Sequence, residues 1–168
     1  ALQKLGKLDE AEVSYTKAIA LKSNYADAHS NLGNTLKEQG KLEEAEASYK
    51  RAIALKPDYI DAHCNLGNIL LELGRLEEAE ASNTRAIALK PDFAEAHYNL
   101  GNTLQELGRL EEAEASYKRA IALKPDFIRA IVNLSIALSF MNNLKTQIIS
   151  LQNILKIDSD DYGLRANV

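Results

Sequence analysis

The residues best suited to chemistry in this 168-residue chain are its three histidines and its single cysteine. His29, His63 and His97 recur at a spacing of 34, which invites a metal hypothesis. Equivalent positions on neighbouring helices lie at least one packing distance apart, about 8–10 Å. Ligands of one zinc ion must each bring a nitrogen to about 2.0–2.1 Å from it. The histidines therefore read as packing residues, and no metal or cofactor is expected. Cys64 follows His63, but adjacent helical residues point about 100° apart, so they form no nucleophile–base pair. Gly40-Lys41 lacks the Ser/Thr and upstream glycine of a phosphate loop. Asn133-Leu134-Ser135 fits a glycosylation sequon but falls in mid-helix. Glutamate pairs such as Glu43-Glu44 and Glu111-Glu112 open helices, where acids complement the helix dipole. No catalytic residue is assigned, and the chain reads as non-catalytic. Asparagines are the remaining polar set: Asn31 and Asn34, Asn65 and Asn68, Asn99 and Asn102, then Asn133. An amide carries donors and an acceptor together, so it can bind both polar groups of a peptide backbone.

These side chains are placed by a repeat. Segments 26–59, 60–93 and 94–127 are copies of one 34-residue unit; the first and third agree at 28 of 34 positions. Residues 1–25 are the end of an earlier copy. Residues 128–161 are a diverged copy, matching the preceding one at 7 positions. Residues 162–168 read as the start of a further element or a linker. The whole is a single array. Pro57, Pro91 and Pro125 recur, with Ser23 and Ser159 in the same slot. Gly6, Gly40, Gly74 and Gly108 recur as well. Proline stops a helix, and glycine suits the left-handed residue that ends one. Each copy is thereby cut into two helices of about 12–14 residues, both with apolar residues at i, i+3, i+4 and i+7. In 94–127 the first helix buries His97, Leu100, Gly101 and Leu104. The second buries Leu110, Ala113, Tyr117, Ala120 and Ile121, and pairs Glu114 with Lys118.

Composition bounds the partners. Apolar residues make up 46% and charged residues 26%, which is enough to bury a core and excludes disorder. No run approaches the roughly 20 apolar residues of a membrane span. A formal net charge of −4 disfavours a nucleic-acid partner held by phosphate contacts. One cysteine excludes an internal disulfide framework and a zinc site built from several thiolates. No signal peptide is visible, and a cytoplasmic location is the expectation. The chain opens without Met in mid-repeat, as a fragment would.

Small residues at positions 8, 20 and 27 of a 34-residue unit, an aromatic at 24 and proline at 32 resemble the tetratricopeptide repeat (TPR) pattern. They are Gly33/Ala45/Tyr49/Ala52/Pro57, Gly67/Ala79/Asn83/Ala86/Pro91 and Gly101/Ala113/Tyr117/Ala120/Pro125. The departures are His29, His63 and His97 where the family often has Trp, and Leu36, Leu70 and Leu104 where it has Tyr. Asn83 replaces the aromatic in one copy, which is expected to loosen packing there. In 128–161 the small residues give way to Ser135, Gln147 and Ile154. The resemblance implies an all-α solenoid, a right-handed superhelix of antiparallel helical hairpins that stack to share a core. It also implies an inner groove, lined by the first helix of each repeat, that binds an extended peptide or protein segment.

With that geometry, positions 4, 7, 8 and 11 of the first helix form the packing arc and positions 2, 5, 6, 9, 12 and 13 face the groove. The groove row runs Asp27, Ser30, Asn31, Asn34, Lys37 and Glu38, then Asp61, Cys64, Asn65, Asn68, Leu71 and Glu72. It ends with Glu95, Tyr98, Asn99, Asn102, Gln105 and Glu106. Tyr98 and Leu71 are expected to supply apolar contact. The position-6 residues Asn31, Asn65, Asn99 and Asn133 look like the asparagine ladder of O-linked N-acetylglucosamine transferases, which holds substrate main chain; the alternative is solvated asparagines, some of them bracing a neighbouring helix. Other TPR groups clamp a peptide carboxylate with Lys and Arg; here those slots hold Ser30, Cys64, Asp61 or Glu95, so no such clamp is expected. The acidic rim of Asp27, Asp61, Glu95, Glu38, Glu72 and Glu106 favours a neutral to basic segment.

The last copy is apolar on nearly every side, from Ile128, Ile131, Val132, Ile136, Phe140 and Met141 through Ile148, Ile149, Leu151, Ile154, Leu155 and Ile157. A helix buried on one side is more amphipathic than this. It reads as packing under further sequence, or as a hydrophobic contact with a second copy of the chain or with a partner. Two alternatives stand beside the binding module: a substrate-presenting arm of a larger enzyme such as a glycosyltransferase, and a scaffold self-assembling through open repeat ends.

Overall fold

The structure, a computed structural model, describes the backbone of residues 2–165 and the side chains of 6–149. All its regular elements there are helices: α1 (Leu2–Leu21), α2 (Ala26–Glu38), α3 (Leu42–Leu55), α4 (Ile60–Glu72), α5 (Leu76–Leu89), α6 (Ala94–Glu106), α7 (Leu110–Leu123) and α8 (Ile128–Arg165). The pairs α2–α3, α4–α5 and α6–α7 are the three full repeats, each an antiparallel hairpin.

The turns follow from the glycines. Gly40, Gly74 and Gly108 have φ of 80°, 74° and 74°. Lys41 N–H donates to the Leu36 carbonyl and Gly40 N–H to the Lys37 carbonyl; Arg75/Leu70 with Gly74/Leu71 and Arg109/Leu104 with Gly108/Gln105 repeat the pattern. This double bond closes a helix C-terminus with a left-handed residue, which only glycine adopts without steric cost. The second helix of each repeat ends at Leu55, Leu89 or Leu123, and Lys56, Lys90 or Lys124 follows, just before the proline. Those ammonium groups sit 4.7, 5.4 and 5.2 Å from the Tyr59, Phe93 and Phe127 ring centroids, a cation–π contact bridging the turn.

Within a hairpin the contact is a ring on bare backbone. A Cβ on Gly33 would lie 2.7 Å from the Tyr49 ring, and one on Gly101 would lie 2.6 Å from Tyr117. Tyr49, Tyr117, Ala45, Ala79 and Ala113 are fully buried. Successive repeats share cores, as Leu36, Tyr49, Leu66 and Leu70 do. Between repeats, α2 touches α4, α4 touches α6 and α6 touches α8, whereas α3, α5 and α7 do not touch one another. The first helices are therefore the inner row of a curved stack, and the second helices splay along the outside.

An ion-pair ladder ties each turn to the second helix before it. Lys41 reaches Glu12 at 2.8 Å, Arg75 reaches Glu46 at 2.6 Å and Arg109 reaches Glu80 at 2.7 Å. The Arg75 and Arg109 guanidiniums also hold Glu78 and Glu112. The expected Glu114–Lys118 pair forms at 2.6 Å.

Both ends depart from the repeat. Residues 128–161 are expected as a hairpin, but α8 runs unbroken from Ile128 to Arg165. The turn glycine is replaced there by Asn142 and the proline by Ser159, so neither stop signal remains. Likewise α1 runs through Gly6, which is helical and has no atom within 4 Å of a built Cβ. The side chains of Leu151, Ile154, Leu155 and Ile157, and residues 166–168, lie outside the described residues.

Candidate functional site

The histidines are tied to their own loops. Nε2 of His29, His63 and His97 lies 3.3, 3.0 and 3.0 Å from the carbonyls of Ser23, Pro57 and Pro91. A carbonyl only accepts, so Nε2 carries a proton in each ring and donates to the turn that enters its helix. The rings are half-buried rather than buried.

The position-5 row does not line an open groove. Ser30 and Cys64 are 3% and 2% exposed, because the inner helices approach one another and cover the edge of the arc. Cys64 packs with Ala86 and Ala96, and burial, with Glu95 nearby, pushes its thiol up to about 12. Tyr98 is half-buried, its ring 4.9 Å from Phe127 and 6.1 Å from Tyr117, with the Arg129 guanidinium over it at 5.2 Å.

The asparagines form a relay that runs between repeats, and its partners were not assigned from the sequence. Tyr49 Oη donates to Asn34 Oδ1 at 2.7 Å, and Asn65 Nδ2 donates to the same oxygen at 3.1 Å. Tyr117 Oη donates to Asn102 Oδ1 at 2.9 Å, and Asn133 Nδ2 donates there at 2.8 Å. The constant offsets of 15 and 31 residues within a 34-residue period were the available signal. This pairing orients the amides. Among the described residues, the Asn34 Nδ2 donors and the Asn65 Oδ1 acceptor have no partner. Asn31 and Asn34 are exposed; Asn65, Asn68, Asn102 and Asn133 are half-buried. Asn99 is a correction: it is 6% exposed and donates to Cys64 Sγ at 3.3 Å, so it is a bracing residue between α4 and α6.

Asn83 is the other departure. In place of loosened packing, the side chain is fully buried, with its amide 2.5–2.6 Å from a Cβ built on Gly67. Neither its nitrogen nor its oxygen has a hydrogen-bond partner.

Asp27, Asp61, Glu38, Glu72 and Glu106 are exposed. Glu72 pairs with Lys37 at 3.3 Å, and half-buried Glu95 pairs with Arg129 at 2.7 Å. Leu71 is half-buried against the core of the first two repeats. Beyond Asn102 and Glu106, the same positions are taken by Ile136 and Phe140, 55% and 56% exposed. With Gln105, Glu106, Leu110 and Ala137 they border a cavity of about 230 Å³.

Stacked helical hairpins with an inner row of first helices define a helical-repeat solenoid. The chain belongs to the tetratricopeptide repeat family: the "TPR repeat" family matches over residues 1–40, 33–74 and 67–108, and the "tetratricopeptide repeat" family over 94–127. No curated protein matches. Among solved structures, the chain is similar to MamA at 28% identity, covering 83% of this chain and 82% of that one, with a TM-score of 0.76. It is similar to the second TPR domain of human RPAP3, determined in complex with the HSP70 peptide SGPTIEEVD, at 29% identity, 67% and 93% coverage and a TM-score of 0.64. It is also similar to YrrB, described as a TPR protein with an unusual peptide-binding site, at 25% identity, 84% and 73% coverage and a TM-score of 0.69.

Proposed function

We propose that this chain is a non-catalytic interaction module whose inner face holds an extended protein segment by its main chain. The observation that carries the reading is the oriented amide row. Asn65 donates to Asn34, which leaves the Asn34 Nδ2 donors and the Asn65 Oδ1 acceptor without a partner among the described residues. A backbone amide plane needs that combination, and it makes few demands on the segment's side chains. Similarity to TPR domains solved with peptides supports the same class of ligand. The acidic rim selects a neutral to basic segment and speeds its encounter at low salt. Selection of peptides from a random-sequence library on the intact chain tests this. We expect selected peptides to be depleted in Asp and Glu and to lose affinity for an Asn34→Ala/Asn65→Ala variant of unchanged helicity. Retained affinity in that variant contradicts the reading.

A second reading is favoured by α8. Ile128, Val132, Ile136, Phe140, Ile148 and Ile149 are all about half exposed or more, a patch of the kind that marks interaction surfaces. Self-association through it is checked by sedimentation across a concentration series. Dimers or larger species are expected, with Ile136→Asn/Phe140→Glu shifting the chain toward monomer. A monomer at every concentration counts against it.

A further inference from the structure

The three full repeats are not equivalent in the groove, and we propose that Asn68 is its principal main-chain contact because Asn83 and Cys64 release it from the relay. This inference rests on the groove reading above and assigns the centre of that site. In the flanking repeats the position-9 amide oxygen is occupied twice. Asn34 Oδ1 accepts from Tyr49 and Asn65, and Asn102 Oδ1 accepts from Tyr117 and Asn133. For Asn68 both donors are withdrawn. The residue 15 positions on is Asn83, whose short side chain stays against Gly67 instead of reaching out as tyrosine does. The residue 31 positions on is Asn99, which turns to the Cys64 sulfur. Among the described residues no hydrogen bond reaches the Asn68 amide, and the residue is half-buried.

An acceptor already taking two hydrogen bonds has little left for a third, whereas Asn68 keeps both lone pairs and both N–H groups. It alone among the position-9 asparagines can engage a peptide N–H and C=O together with its whole amide. The cost appears beside it: the Asn83 amide is buried with no partner. A buried polar group without a partner is destabilising and calls for an explanation. Freeing Asn68 supplies one.

The test uses the intact chain and a single peptide selected on it from a random-sequence library. Tyrosine fits the site, since Tyr49 and Tyr117 occupy it over Gly33 and Gly101. Asn83→Tyr restores the donor to Asn68 and removes the unsatisfied amide. We expect its melting temperature to rise by about 3–6 °C and its affinity for the peptide to fall about tenfold. Asn83→Phe fills the same space without a hydroxyl; it should be stabilised and should bind as the native chain does. Asn68→Ala should weaken binding about tenfold in the native background and little in Asn83→Tyr. The inference is overturned if Asn83→Tyr and Asn83→Phe bind alike, or if Asn68→Ala binds normally, while the native chain still holds its peptide. If the native chain selects no peptide, the groove reading fails and this inference falls with it.

Discussion

The thiol of Cys64 shows how far a single environment moves a side chain from its usual chemistry. It is 2% exposed, and burial holds its proton to about pH 12 against an ordinary 9.0. Native Cys64 should react with iodoacetamide at pH 8 at least about 100-fold more slowly than the unfolded chain, as read by mass spectrometry over time. A raised acid also links to stability. Between pH 9.0 and about 12 the unfolded chain has lost this proton while the folded chain keeps it, so stability falls as pH rises through that window. Tyr117, moved by burial from 10.0 to about 12, adds the same sign from pH 10.0 upward. Melting temperature at pH 8 against pH 10.5 measures the sum. At this scale the sequence exposed the residue types but not their partners. The shared repeat position of Asn34 and Asn102 was legible. The wheel cannot show that Asn99 turns to Cys64, since that depends on how closely α4 and α6 approach.

Helix boundaries answer to glycine in two different ways, and the two are separable. Gly40 has φ of 80° and open space around it, so Gly40→Ala costs the strain of a left-handed residue, about 1–2 kcal/mol. Gly33 is helical, and Gly33→Ala drives a methyl to 2.7 Å from the Tyr49 ring, an overpacking cost of about 1–3 kcal/mol. Shortening the ring with Tyr49→Ser should reduce the second cost and leave the first unchanged; urea denaturation of the single and double variants checks it. The regular hairpins were legible because each carries both stop signals in register. The fourth, over 128–161, was expected for the same reason of register, and the structure departs where Asn142 and Ser159 take their places. Register survives the loss of a stop signal, but the turn does not.

The stack as a whole is held by neighbour contacts, so its stability is a sum of repeats and interfaces. The ion pairs at those interfaces carry a pH signature. Glu12 is held below its ordinary value by Lys41, Glu46 by Lys50 and then Arg75, Glu78 by Arg75 and Glu112 by Arg109. A depressed carboxyl stabilises the fold above the unfolded value of 4.5, and that stability is lost as pH falls below it. Helicity should therefore decline below pH 4.5, and 1 M salt should lessen the difference between pH 7 and pH 4.

Hydrogen exchange of the intact chain with and without one library-selected peptide tests the central claim most directly. The account predicts added amide protection in α2, α4 and α6, the inner row, with α3, α5 and α7 little changed. Protection concentrated in α3, α5 and α7, or confined to α8, would contradict a main-chain grip on the inner face.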